Sequence, residues 1–180
     1  MLENENLIGH YPDEEDESDL TELSADEISD VVVSTTDWTT ETLMSQLHRG
    51  NIDLSPAFQR RSAWQVGLMS RFVESTMLQM PIPQIVLAER PEKKGTYIVI
   101  DGKQRLLALR KFISDSDDQN FPPYALSTLE FLKQFNGKTY SELKGMSEAA
   151  DFLNAMDNHT IRPVVLRNWS RDEILHLVFQ

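Results

Sequence analysis

There is no cysteine in the 180 residues of this chain, which excludes disulfides and thiolate metal centres together. No apolar run approaches the length of a membrane span. The N-terminus also lacks the basic-then-apolar order of a secretory signal, so the expected location is the cytoplasm. Walker-type, Gly-rich dinucleotide and zinc signatures are missing as well. The four histidines, His10, His48, His159 and His176, are scattered without metal-ligand spacing and read as surface or partly buried residues. Residues 1–30 lack any Lys or Arg.

That last absence explains the charge. Twelve acids fall in residues 1–30, and they account for the whole imbalance between 29 acids and 17 bases that gives the net −12. The remaining body is formally neutral. A like-charged, aromatic-poor stretch cannot bury enough apolar surface to order itself, so residues 1–34 are expected to be a disordered acidic leader. It serves either as a solubilising tail or as a segment that docks on a basic partner or mimics nucleic-acid charge. Leu20, Leu23 and Ile28 would support a short helix in the second case.

From residue 35 onward the chain reads as one domain of mixed elements. Helical spacing is expected over Trp38 to His48, with Gly50 as the C-terminal stop, and over Gln65 to Gln79. Residues 51–64 are expected to be a loop. Pro81 and Pro83 end the second helix and force an extended entry into a strand at 84–89. A hairpin-type connection leads to a second strand at 96–100, then a helix from Gly102 to Ile113. Short helices broken at Asn136-Gly137 and at Gly145 are expected over 124–156, followed by a strand from Ile161 to Leu166. Ser170-Arg171-Asp172-Glu173 reads as a capping box opening a last helix, and because the sequence stops inside it the chain is expected to be part of a longer protein.

Two constellations carry candidate chemistry. In Asp101-Gly102-Lys103-Gln104-Arg105 a strand runs into a helix whose first turn holds two cations. Free N–H groups and the positive end of the helix dipole meet there, and cations are disfavoured unless an anion joins them. The same residues also read as a plain capping box, Asp101 with Gln104, around a glycine turn. In Phe58-Gln59-Arg60-Arg61 with Trp64, the arginines offer planar forks for phosphate oxygens, or else the aromatics anchor a solvated loop. Asp115, Asp117 and Asp118 are an acidic loop, and no residue set reads as a protein metal site.

In this order, Phe-Gln-Arg, Trp, Pro-Ile-Pro-x-Ile and Asp-Gly-x-Gln-Arg-Leu, the chain resembles the DGQQR-motif domains at the N-terminus of GmrSD-type modification-dependent restriction enzymes. The likeness covers roughly residues 35–180. It implies the ParB/sulfiredoxin-like α+β fold, a small mixed sheet with flanking helices. It also implies a regulatory domain of a DNA-restriction or anti-phage system that binds, and is expected to hydrolyse, a nucleoside triphosphate with Mg2+. Carried over, Gln59, Arg60, Asp101, Gly102, Gln104 and Arg105 match the family pattern, while Lys103 stands where Gln is usual. Arg61 and Lys103 join them as nucleotide-binding candidates, and Asp101 and Arg105 are the catalytic candidates. DNA would be reached through the full-length protein, with cleavage in a C-terminal effector beyond Gln180. The alternatives are a ParB-like DNA-binding or nicking module and a non-catalytic interaction domain.

Overall fold

The computed structural model describes residues 30–54 and 63–170. In chain order these form β1 (Val32–Thr35), β2 (Trp38–Thr39), α1 (Thr40–His48), β3 (Ile52–Asp53), α2 (Val66–Met77), β4 (Ile85–Glu89), β5 (Tyr97–Asp101) and α3 (Lys103–Ile113). After a 3-10 turn at Lys133–Phe135 come α4 (Tyr140–Lys144), a second 3-10 turn at Ser147–Ala149, α5 (Ala150–Asn158), β6 (Thr160–Ile161) and β7 (Pro163–Arg167). The fold is α+β, with a mixed five-stranded sheet in the order β1-β7-β4-β5-β3 and a separate β2–β6 ribbon.

β5 explains the arrangement. Its Tyr97 and Val99 face the main core while Ile98 and Ile100 face the opposite side of the sheet, and all four are buried. Such a strand reads as a continuous apolar run because both of its faces are covered. It pairs antiparallel with β4 and parallel with β3, which places it inside the sheet. β4 alternates in the same way, with Ile85 and Leu87 toward the main core and Ala88 toward the other face. The main core takes side chains from all five helices, centred on the fully buried Phe112 and Phe135. Val31, Val86 and Trp169 pack over the second face.

Several local expectations shift. β1 begins at Val32, inside the stretch assigned to the leader, because its backbone has an antiparallel partner in β7. Trp38 is in a strand, not a helix, since it pairs with Ile161. α1 starts two residues later, where the Thr39 hydroxyl accepts the Thr42 N–H at 3.1 Å. β3 lies in what the sequence presents as loop, because two residues are too few to show a period. The expected final helix lies outside the described residues.

Two buried polar groups were not anticipated. Glu74 on α2 is only 3 % exposed, and its carboxylate accepts the N–H groups of Glu130, Phe131 and Leu132 at 2.9, 2.8 and 2.7 Å. It thereby fixes the chain just before the first 3-10 turn. His159 is buried more deeply than the expected surface or partly buried position, and among the described residues neither ring nitrogen has a hydrogen-bond partner. Burial pushes its pKa below the usual value.

Candidate functional site

β5 ends at Asp101, and the chain enters α3 through Gly102 at φ +92°, a left-handed conformation that glycine adopts without penalty. A Cβ here would stand 2.6 Å from Cγ2 of Ile85, so a side chain would displace the start of β4. The expected capping box does not form. Gly102 is the N-cap, no side chain among the described residues caps the helix, and Asp101 remains in the strand. The two would-be cap residues have other partners. The Asp101 carboxylate pairs with Arg105 one turn on, at 2.6 Å, and Oε1 of Gln104 accepts the Trp64 backbone N–H at 3.1 Å.

Arg105 is bonded mainly to the protein itself. Its side chain is 12 % exposed, its Nη1 donates to the carbonyls of Pro83 at 2.6 Å and Gln84 at 2.8 Å, and its Nη2 donates to Asp101. The prolines supply the reason. An extended Pro81-Ile82-Pro83 segment brings carbonyls to the sheet end before the β4 ladder can pair them, and a planar guanidinium reaches two of them together with a carboxylate. Lys103, the first residue of α3, is half-buried. Among the described residues its ammonium has no hydrogen bond or ion pair, and the first turn holds no acid.

Asp101, Gly102, Lys103, Gln104 and Arg105 therefore share one strand-to-helix turn. Gln59, Arg60 and Arg61 lie outside the described residues. The segment that carries them rejoins at Ala63, and Trp64 sits on Gln104, so the two motif regions meet at that bond. Trp64 also packs edge-on against Phe72 of α2, with ring centres 5.9 Å apart.

The acidic loop has a structural task. Asp118 pairs with Arg110 at 2.6 Å and accepts the Asn120 and Phe121 N–H groups, and the Phe121 bond is the chief reason its pKa lies below the usual carboxylate value. Among the described residues, no three His, Asp or Glu side chains gather where they would hold a metal. Asp101 is already ion-paired, so the turn offers no carboxylate cage for Mg2+. Such an ion would have to be carried on the phosphates of a bound nucleotide.

At the opposite end of β5 lies a cavity of about 390 Å3 lined in part by Asp53, Arg90, Lys93, Tyr97, Arg110 and Phe121. Both arginines there have carboxylate partners, Arg90 with Asp53 at 2.8 Å and Arg110 with Asp118. Each arginine of the cavity is thus neutralised by a carboxylate, as Arg105 is by Asp101 in the α3 turn.

Residues 40–174, three quarters of the chain, match the family model described as GmrSD restriction endonuclease, N-terminal domain. The chain belongs to that family. No curated protein and no solved structure gives a significant match. In this GmrSD-type N-terminal domain the matched span runs from the start of α1 past β7, and so includes the whole Asp101–Arg105 turn. No described helix is long and apolar enough to cross a membrane. Sequence reasoning found the turn but missed that Arg105 reaches Pro83 and Gln84. The adjacent Pro-Ile-Pro was the available signal, since it implies carbonyls in need of a donor.

Proposed function

We propose that this domain binds the phosphates of a nucleoside triphosphate at the start of α3, hydrolyses it, and reports its presence to the rest of a DNA-restriction protein. The observation that carries this reading is the start of α3 itself. Its N-cap is a left-handed glycine, no side-chain acceptor among the described residues caps it, its first turn has no acid, and Lys103 occupies its first position. N–H groups and a cation at one helix N-terminus are complementary to a phosphate. In this reading Lys103 neutralises phosphate charge and Gln104 donates to a phosphate oxygen. Gln59, Arg60 and Arg61 are assigned to the same site from the sequence, since three residues span at most about 11 Å and Arg61 precedes Trp64 by three, Arg60 and Gln59 by four and five.

Asp101 and Arg105 enter differently. Their ion pair fixes the turn, and hydrolysis assigns Asp101 the task of orienting the attacking water while Arg105 holds the carboxylate in place. Mg2+ bound to the nucleotide would offset phosphate charge. The neutral body does not favour unaided duplex DNA binding, which needs a clustered basic face.

The test is a melting screen with ATP, GTP, CTP and UTP, each with and without Mg2+, followed by phosphate-release assays. A ligand at about 100 times its dissociation constant adds roughly 2.7 kcal/mol, or about 5–10 °C here. At least one nucleotide is expected to do this. If none raises the melting temperature, the α3 turn is not a nucleotide site.

A further inference from the structure

An amide side chain has two ends with different chemistry. In Gln104 the acceptor, Oε1, is taken by the Trp64 backbone N–H at 3.1 Å. The donor end, Nε2, has no acceptor among the described residues, and it belongs to the second residue of a helix whose N-terminal groups no side chain among the described residues caps. Trp64 in turn stands two residues before α2, and its ring meets Phe72 one helix face in. The start of α2 carries Val66 and Leu68, respectively 40 % and 49 % exposed.

We infer that Gln104 is a positioning residue that couples phosphate occupancy at α3 to Trp64 and the first turn of α2. This rests on the phosphate reading of the α3 turn. When a phosphate oxygen accepts from Nε2, the amide is held at both ends, and its position is shared between ligand and Trp64. Without the ligand only one end is held. Arg105 cannot play this part, because its three bonds are to groups of the protein that a ligand does not replace. Lys103 cannot either, because no described group links its ammonium to another element. Among the described residues, Gln104 is the residue of the turn that joins the start of α3 to the segment before α2.

The experiment uses the whole chain, labelled with 15N, and whichever of the four nucleotides gives the largest melting shift. Addition of the nucleotide to the parent protein is expected to move the amide resonances of Trp64, Val66 and Leu68. Gln104→Met keeps the size of the side chain and removes both polar ends. In it, calorimetry is expected to show binding weakened by about tenfold or less, while the Trp64 and α2 resonances no longer respond. Gln104→Glu retains an acceptor for Trp64 but sets a carboxylate against phosphate. It should leave the unliganded Trp64 amide in place and weaken binding by more than tenfold. If the parent binds nucleotide and Trp64 does not respond, or responds equally in Gln104→Met, the coupling is refuted and the site stands. If no nucleotide binds the parent, the site reading fails, and the coupling with it.

Discussion

Helices α3 and α4 begin in opposite ways. α4 satisfies its own start. The Thr139 hydroxyl accepts the Glu142 N–H, the Glu142 carboxylate accepts the Thr139 N–H at 2.7 Å, and an acid sits in the first turn next to the positive dipole end. α3 has a glycine at the same place, no cap and a lysine. The loop before the first 3-10 turn resembles α4, since Glu74 reaches over from α2 and collects three N–H groups. This chain can therefore supply carboxylates to backbone donors where structure alone is at stake. Among the described residues the start of α3 lacks one, and it lies inside the span that matches the family. The difference separates a helix end built for stability from the one to which we assign a phosphate.

That contrast can be broken from either side. The largest effect is expected at the self-satisfied end. Glu74→Ala leaves three N–H groups without their acceptor, at about 1–3 kcal/mol for each that water does not reach, so a loss of about 3–4 kcal/mol is expected in denaturant titration. Gly102→Ala should follow at about 2–4 kcal/mol, from left-handed strain plus collision with Ile85, read as a lowered denaturation midpoint with unchanged slope. Thr139→Ala removes an ordinary cap and should cost about 1 kcal/mol. The smallest change in stability is the most informative. Lys103→Glu gives α3 the acid that α4 already has, and should raise stability by about 0.3–1 kcal/mol while abolishing the nucleotide-dependent melting shift. A variant that loses stability and keeps the shift would erase the distinction between the two helix ends.

The sequence made the central elements legible because they are long and periodic. α2, β4, β5 and α3 all lie close to where apolar spacing and the prolines set them. What stayed hidden depended on partners distant in sequence. β1 exists because β7, 129 residues or more away by register, offers it an edge, and β3 is two residues long. The turn at 101–105 was found as a unit, but the roles within it were not separable. Nothing in the order Asp-Gly-Lys-Gln-Arg says that the arginine turns back to Pro83 and Gln84 while the glutamine turns to Trp64. Glu74 was invisible for the same reason, since its acceptors serve backbone groups more than fifty residues on.

The double burial of β5 has a consequence for how this domain fluctuates. A strand covered on both faces, paired with β4 along one edge and with β3 at Tyr97 and Ile98 on the other, gives up its amide protons to solvent mainly when the molecule opens as a whole. The Asp101 side of the turn is therefore mounted on the slowest-exchanging part of the protein. Ala63 to Gln65 are outside any helix or strand, and among the described residues the bond from the Trp64 N–H to Gln104 fastens them there. Deuterium uptake should thus be steeply graded across a few residues, near the global limit at Val99 and Ile100 and fast at Trp64. A ligand bridging the two would slow exchange on the Trp64 side alone.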